Sequence, residues 1–166
     1  MVDDLYAFIV LDTMNERENG VQIANIDDGE WTGEDPDGGR WKRLGQQTGG
    51  THLGCTLEEI QPGGRPAAYH YHLANEEAMY VIDGNGRLSF PGGETNIKSG
   101  DYVAFPVGEG GAHAVENTAD DTLRCLFFST MRKPDVTVYP NEKQLHVGAI
   151  DATFSFESDS DEAEQD

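Results

Sequence analysis

The chain has few basic residues. Among its 166 residues there are four lysines and seven arginines, against 31 aspartates and glutamates, so the formal net charge is −20 at pH 7. Neutralising the phosphates of a nucleic acid, or anchoring to an anionic membrane surface, requires clustered positive charge. The composition therefore excludes a phosphate-neutralising nucleic-acid binder and a polybasic membrane anchor.

Long hydrophobic runs are also missing. The longest apolar run, Leu5 to Leu11, is far shorter than the roughly 20 residues that a membrane-spanning helix needs. Asp3 and Asp4 precede it, whereas a secretory signal begins with positive charge. We therefore expect a protein of the cytoplasm that neither spans a membrane nor carries a secretory signal.

Cysteine occurs only twice, at Cys55 and Cys125. One disulfide is arithmetically possible, but an isolated cysteine in an apolar, strand-like stretch is usually a small buried hydrophobic residue. We predict two free thiols, as is usual in a reducing cytoplasm.

Acidic residues are abundant throughout the chain. Residues 157–166 contain six acids and no base, yet the rest of the chain still carries 25 acids against 11 bases. Such a charge repels itself, and salt screens that repulsion. We interpret the acidity, together with the scarcity of lysine, as an adaptation to the salt-rich cytoplasm of a halophile. An ordinary acidic protein is the alternative.

Apolar and polar residues alternate with the period of a β-strand over residues 53–58 and 123–128. Shorter β-rich runs follow the same pattern, and turn-forming residues separate them. Asn85-Gly86 predicts a hairpin with a type I′ turn. Because no stretch shows a convincing helical period, we expect an all-β sandwich or barrel.

The length predicts one domain with three zones. Residues 1–50 form a polar arm that contains Trp31 and Trp41 and is expected to add strands to the barrel. Residues 51–150 carry the strand array. Residues 151–166 form an acidic tail, which we expect to be largely disordered because it has too few apolar residues to pack.

Two of the five histidines form the sequence His70-Tyr71-His72. Residues two apart in a strand share a face, so both imidazoles can approach one ion. Glu77 follows after a short connection, and we expect it on the neighbouring antiparallel strand, facing the same interior; His113 lies on a third strand. Three neutral imidazoles and one carboxylate suit a divalent ion such as iron, manganese, nickel or zinc. Histidines hydrogen-bonded to their neighbours are the alternative.

Two motifs resemble those of the cupin superfamily. The first cupin motif is matched in every position by Gly64-x5-His70-x-His72-x4-Glu77-x6-Gly84. The second is resembled by Gly100-x5-Pro106-x-Gly108-x4-His113-x3-Asn117, with four residues instead of two before the histidine. The wider chain is similar to small stand-alone cupins that have a Phe-Pro-x-Gly loop, a Gly-Ala-His sequence and a late Tyr-Pro pair, here Phe105–Gly108, Gly111–His113 and Tyr139-Pro140.

The resemblance implies an all-β jelly-roll barrel, the double-stranded β-helix, with one metal ion inside its mouth. It implies that His70, His72, Glu77 and His113 are the ligands and that Asn117, Gly84 and Gly100 are structural. It also implies a homodimer in which the N-terminal arm covers a sheet edge, and an uncovered edge would invite aggregation.

Other histidines and acids near the motifs are expected to have ordinary roles. A shift of one residue along a strand reverses the face, so Glu76 should point to solvent if Glu77 points inward. His52 and His146 lie outside both motifs and are expected to be hydrogen-bonded or surface residues. Met79 and Val81 share the face of Glu77 and should form either pocket wall or plain core.

Three classes of function fit these residues: a binding protein for a small molecule at the metal, a metalloenzyme of dioxygenase or isomerase type acting on a small organic acid or sugar derivative, and a barrel with a structural metal. We favour an open metal site that binds a small molecule. Burying three imidazoles and a carboxylate costs desolvation that metal binding offsets. No general acid or base beyond the ligands can be named from the sequence.

Added salt is expected to raise the thermal stability of the protein, because it screens repulsion among the surface carboxylates. Thermal unfolding followed from low KCl to multimolar KCl should show a rising Tm. A Tm that does not change over this range would contradict the halophilic interpretation.

Overall fold

The computed structural model describes residues 20–157. The run Leu5–Leu11 and residues 158–166 of the predicted tail lie outside this range. Almost all of the regular structure is β. The elements are β1 (Gly33–Asp35), β2 (Gly39–Lys42), a one-turn helix α1 (Leu44–Gln47), β3 (Gly54–Ile60), β4 (Tyr71–His72), β5 (Glu77–Asp83), β6 (Asn85–Phe90), β7 (Gly93–Lys98), β8 (Tyr102–Phe105), a 3-10 turn (Glu109–Gly111), β9 (Ala114–Glu116), β10 (Leu123–Ser129), β11 (Val136–Tyr139), β12 (Gln144–Val147) and β13 (Ala152–Ser155).

The strands form two facing walls of an antiparallel jelly-roll barrel, as predicted. One wall is a six-stranded sheet in the order β1-β2-β3-β10-β5-β8. The other consists of a four-stranded sheet, β13-β12-β11-β4, and a three-stranded sheet, β7-β6-β9. The two parts of this second wall meet where His70, just before β4, pairs with His113, just before β9.

Apolar side chains fill the space between the walls at one end of the barrel. The alternating residues Met79 and Val81 of β5 are fully buried, and both belong to the main core cluster. Leu123 and Cys125 of β10 lie in the same cluster. Met79 and Val81 are therefore core residues, and the polar residue two positions before Met79, Glu77, lies beyond the end of this apolar layer.

Residues of the N-terminal zone cover the outer face of β3. Helix α1 packs so closely on this strand that a Cβ atom on Gly45 would lie 2.8 Å from the backbone nitrogen of Cys55. On the same outer face, Glu59 accepts hydrogen bonds from Arg40 of β2 (2.6 Å) and pairs with Arg124 of β10 (3.0 Å). Because both faces of β3 are covered, the alternation of apolar and polar residues along this strand does not reveal which face lines the interior.

Two predictions of local structure are wrong. Asn85-Gly86 does not form a hairpin: β5 pairs with β8 and β10, whereas β6 pairs with β7 and β9, so the chain crosses from one wall to the other at this point. Gly84, at φ +92°, makes the corner. The predicted tail also begins too early, because Ala152–Ser155 pair with β12 as strand β13.

Both cysteines are free thiols, as predicted; Cys125 is buried and Cys55 is half-buried. None of the helices in the described range is long and apolar enough to cross a membrane.

Asn117 is completely buried and joins three segments of the chain. Its Nδ2 donates hydrogen bonds to the carbonyl oxygens of Ile60 (2.7 Å) and Asp121 (2.8 Å), and its Oδ1 accepts one from the N–H of Ala119 (2.9 Å). Its backbone exchanges two further hydrogen bonds with residues 63–64. The side chain thus holds the turn after β9 against the end of β3.

Replacing Asn117 by alanine should destabilise the fold by about 2–4 kcal/mol, because it leaves the buried carbonyl oxygen of Ile60 and two partly buried backbone groups without partners. A buried polar group without a partner costs about 1–3 kcal/mol. Urea unfolding would measure the change. The matched control is Asn96→Ala in β7, where the asparagine is exposed; its effect should stay within about 0.5 kcal/mol. Equal effects of the two substitutions would contradict this role.

Candidate metal centre

Three histidines face the interior with one ring nitrogen already engaged. Nδ1 of His70 donates to the carbonyl oxygen of Ala68 (2.8 Å), and Nδ1 of His113 donates to that of Gly111 (2.9 Å). Nδ1 of His72 contacts Oδ2 of Asp135 at 2.6 Å. Because these oxygens only accept, each neutral ring carries its proton on Nδ1 and keeps a free lone pair on Nε2. That is the tautomer in which Nε2 can bind a metal.

Glu77 brings a carboxylate to the same place. The ligand atoms of His70, Glu77 and His113 all lie within 4.8 Å of one another. His72 is not in that set of three, but its Nε2 lies 3.4 Å from Oε2 of Glu77. When the His72 ring is in its neutral form with the proton on Nδ1, two lone-pair atoms face each other at this distance, an arrangement that a cation between them stabilises. The four residues that the sequence singled out are therefore neighbours in space.

The side chains reach this place from opposite walls of the barrel. His70, His72 and His113 belong to the second wall, where His70 and His113 form a β-bridge. Glu77 begins β5 in the six-stranded sheet. The expectation that Glu77 lies on the strand next to His72 is therefore wrong, although the side chain does face the same interior. The short connection after His72 carries the chain across the barrel instead of back along the same sheet.

Aromatic rings support two of the histidines. Phe105 stacks on His113 with ring centroids 3.7 Å apart and planes 10° apart. Tyr139 lies beside His70 with a centroid separation of 5.7 Å. Phe105 belongs to the Phe-Pro-x-Gly sequence and Tyr139 to the Tyr-Pro pair, so each of these sequences places a ring against a histidine of the cluster.

Burial controls the protonation of the cluster. Burial, with a smaller contribution from the neighbouring His70, lowers the pKa of His113 to about 4, although the hydrogen bond to Gly111 opposes the shift. The pKa of His70 is also lowered, mainly by burial. Burial raises the pKa of Glu77 and outweighs the opposing effect of His72. Neutral imidazoles are the form that donates a lone pair to a metal.

For Asp135, hydrogen bonds outweigh the effect of burial on the pKa. Burial alone would raise the pKa of this carboxyl group, but hydrogen bonds from His72 and from the N–H of Ala74 hold it below its usual value. Asp135 therefore stays ionised and orients the ring of His72. Sequence reasoning missed this residue, because it lies 63 positions after His72 and no motif spacing connects them.

A cavity of about 220 Å³ opens beside the cluster and is lined by His70, Glu77 and His113. Ligand cavities usually measure about 300–1,000 Å³, so this one suits a molecule with few carbon atoms. Side chains of β3 and β10 line the wall opposite the two histidines; they include the polar residues Thr56, Glu58 and Ser129 and the apolar Phe127 and Phe128.

The remaining candidates have the ordinary roles that were expected. Glu76 is exposed. His52 is exposed and bonds to Thr51 (2.9 Å), and His146 lies 3.3 Å from the hydroxyl of Thr153.

Comparison with known proteins identifies the family. The Cupin domain family (Cupin_2) matches residues 56–129. A solved structure from Acidithiobacillus ferrooxidans, named as a candidate sugar phosphate isomerase, is 30% identical, with 80% of this chain and 89% of that chain covered and a TM-score of 0.70. The chain belongs to the cupin superfamily, in its Cupin_2 type.

Two further relatives extend the comparison. A sugar phosphate isomerase of the cupin superfamily from Silicibacter pomeroyi is 24% identical, covers 84% of this chain and 98% of its own, and has a TM-score of 0.71; it shows the fold alone. An uncharacterised protein of Methanocaldococcus jannaschii is 29% identical over 69 residues, which is 42% of this chain. The match spans about half (54%) of that curated relative.

In the metal-free protein, His113 should remain neutral until the pH falls to about 4, because burial disfavours its cationic form. The ring C–H resonances of His113 in an NMR titration should therefore move near pH 4. In the urea-unfolded protein they should move near the ordinary value of about 6.5. Since the unfolded chain binds the proton more tightly, His113 lowers the stability of the metal-free fold as the pH falls from about 6.5 to about 4. Titration near 6.5 in the folded protein would contradict the burial of this ring.

Proposed function

We propose that the protein binds one divalent first-row metal ion through His70, His72, His113 and Glu77, and holds a small molecule in the adjoining cavity. The observation that carries this proposal is the orientation of the three imidazoles. Each Nδ1 is engaged by a protein acceptor, so the free Nε2 lone pairs are directed toward the carboxylate of Glu77. This donor set suits iron, manganese, nickel or zinc.

The cavity supports an open site over a purely structural one. Its wall includes His70, Glu77 and His113, so a ligand in the cavity lies next to three of the four proposed metal ligands. A divalent ion with one carboxylate ligand keeps a net positive charge. Such an ion acts as a Lewis acid that attracts and polarises oxygen atoms of a bound molecule.

An isomerase-type reaction on a small sugar derivative is the enzymatic candidate that the comparisons favour. The 30% identical relative, which covers most of both chains, is named as a candidate sugar phosphate isomerase. The volume of the cavity, about 220 Å³, suits a compound of this size class. Dioxygenase-type chemistry and a structural metal are the remaining alternatives, and the experiment below separates them.

Metal analysis of protein purified without an affinity metal should give one divalent ion per chain. The double variant His70→Ala, His72→Ala should lose that ion, because two of four ligands are removed. The matched control, His52→Ala with His146→Ala, removes two histidines outside the cluster and should keep full stoichiometry. Full retention of metal by the first variant would refute the assignment.

The metal-loaded forms should then be titrated with small sugar phosphates, carboxylic acids and diols, and oxygen uptake should be followed in parallel. We expect binding of at least one oxygen-rich compound to perturb the absorption or paramagnetic signals of the iron or manganese form. Oxygen uptake would favour the dioxygenase alternative. A four-coordinate ion that no compound perturbs would leave only the structural role.

A further inference from the structure

The cavity beside the metal cluster contains a second carboxyl group. Glu58 lies on β3 and lines the cavity together with His70, Glu77 and His113. These four are the titratable side chains among the cavity-lining residues in the described range. Three of them belong to the proposed metal cluster, so Glu58 has no role yet.

Glu58 is half-buried, and its carboxyl group makes no hydrogen bond or ion pair within residues 20–157. The contrast with the next residue is informative: Glu59, on the outer face of the same strand, is paired with Arg40 and Arg124. A buried carboxylate is normally paired or hydrogen-bonded, because desolvation penalises an isolated charge. An unpaired carboxyl group that faces a cavity is therefore a candidate for function.

Glu58 also borders a second, more open depression on the other side. That depression is lined by Asp35, Trp41 and Arg43, and it shares Thr56, Glu58 and Pro66 with the inner cavity. Glu58 therefore stands between the inner cavity and a solvent-facing one. In this position its carboxyl group can exchange a proton with bulk water without a path through the metal cluster.

We propose that Glu58 is the catalytic acid–base residue of this cavity, which removes a proton from a small α-hydroxycarbonyl compound and returns it. This inference rests on the proposed function, and it assigns the substrate class and the residue that moves the proton. It differs from a role as metal ligand: among the described residues, the ligand atoms that lie within 4.8 Å of one another are those of His70, Glu77 and His113, and His72 joins them through its contact with Glu77 (3.4 Å).

The proton transfer balances without an added reactant. The carboxylate of Glu58 takes the proton from the carbon that bears the hydroxyl group, next to the carbonyl carbon. The C–H electron pair becomes the C=C bond of an enediolate, and the carbonyl oxygen receives the negative charge. The carboxylic acid then returns the proton to the former carbonyl carbon, and a hydroxyl proton moves between the two oxygens. The product is an isomer, so no oxidant or reductant is needed.

The electrostatics of the residue agree with this role. Burial, together with the smaller effects of the charges of Glu77 and Asp35, raises the pKa of Glu58 to about 7. A general base works best when its pKa is near the working pH, since both of its forms are then populated. The charged and titratable groups that face Glu58 from the surrounding elements are Asp35, Arg43, His70, Glu77, His113 and Cys125.

The first test measures proton exchange directly. The metal-loaded protein is incubated in D₂O with dihydroxyacetone phosphate or D-fructose 6-phosphate, and loss of the C–H signals next to the carbonyl group is followed by NMR. The wild type should exchange these protons. Glu58→Gln, which keeps the shape but cannot accept the proton, should slow the exchange by about 100-fold to 10,000-fold.

Two controls keep this result specific. Glu76→Gln changes an exposed glutamate near the cluster and should leave the exchange rate unchanged. Glu58→Gln should keep one metal ion per chain and a Tm at least as high as that of the wild type, because it removes an unpaired, half-buried carboxyl group. Loss of metal from Glu58→Gln would make Glu58 a ligand and overturn the proposal.

A second test needs neither metal nor turnover. Trp41 lies opposite Glu58 in the register of β2 and β3. In a Trp31→Phe background, the fluorescence of Trp41 in the metal-free protein should change with an apparent pKa near 7, and the added Glu58→Gln substitution should abolish that transition. A transition that survives the substitution would show that Glu58 does not titrate there and would contradict the proposal.

The two proposals fail in different ways. If the wild type binds no metal, the proposed function fails. If it binds metal and a small molecule but exchanges no proton of either sugar phosphate, or if Glu58→Gln exchanges at the wild-type rate, the assignment of Glu58 is wrong while the proposed function stands.

Discussion

Two backbone hydrogen bonds between His70 and His113 join the parts of the second wall. The N–H of each residue donates to the carbonyl oxygen of the other, at 3.0 Å and 2.8 Å. Without this bridge, the sheet that contains β4 and the sheet that contains β9 would have no common edge. Because the rings of the same two residues belong to the candidate metal site, the closure of the barrel and the geometry of the site depend on one contact.

This coupling explains how a buried polar cluster is tolerated next to an apolar core. The rings of His70 and His113 are 4.7 Å apart at their centroids, and each is held by a carbonyl oxygen two residues away in the chain. Such local hydrogen bonds form together with the strand ends and satisfy one nitrogen of each ring. The Nε2 atom of each ring has no such partner and faces the carboxylate of Glu77. The desolvation cost of the cluster is therefore greatest at the place where a cation would offset it.

The N-terminal zone supports β3, one of the strands whose inner face lines the cavity. Helix α1 packs against β3, β2 pairs with it edge to edge, and the ion pairs of Glu59 hold β2 and β10 to that strand. β3 buries Leu57 on its outer side and Ile60 on its inner side, where Ile60 belongs to the main core cluster. Beyond Ile60, the same inner face presents Thr56 and Glu58 to the cavity. One strand therefore contributes both to the core and to the polar part of the cavity lining.

Local sequence patterns were sufficient to predict the strands, the free thiols and the four residues that form the cluster. The spacing His70-x-His72 places two rings on one face because side-chain direction alternates along any strand. The same rule separated Glu77 from the exposed Glu76. These features depend on residues within a few positions of one another, so they can be predicted from residue spacing and from the alternation of apolar and polar residues.

Tertiary structure alone decided which elements face each other. No local pattern indicates that the chain crosses the barrel between His72 and Glu77, or that Asn85-Gly86 lies at a crossing and not in a hairpin, because both depend on which sheet the following strand joins. Asp135 reaches His72 and Glu58 reaches the cavity through strand pairings that are distant in sequence. The sequence by itself determined the strands and the donor atoms. Their convergence, and the polar wall opposite them, follow from long-range packing that buries both faces of β3 and closes the second wall at His70 and His113.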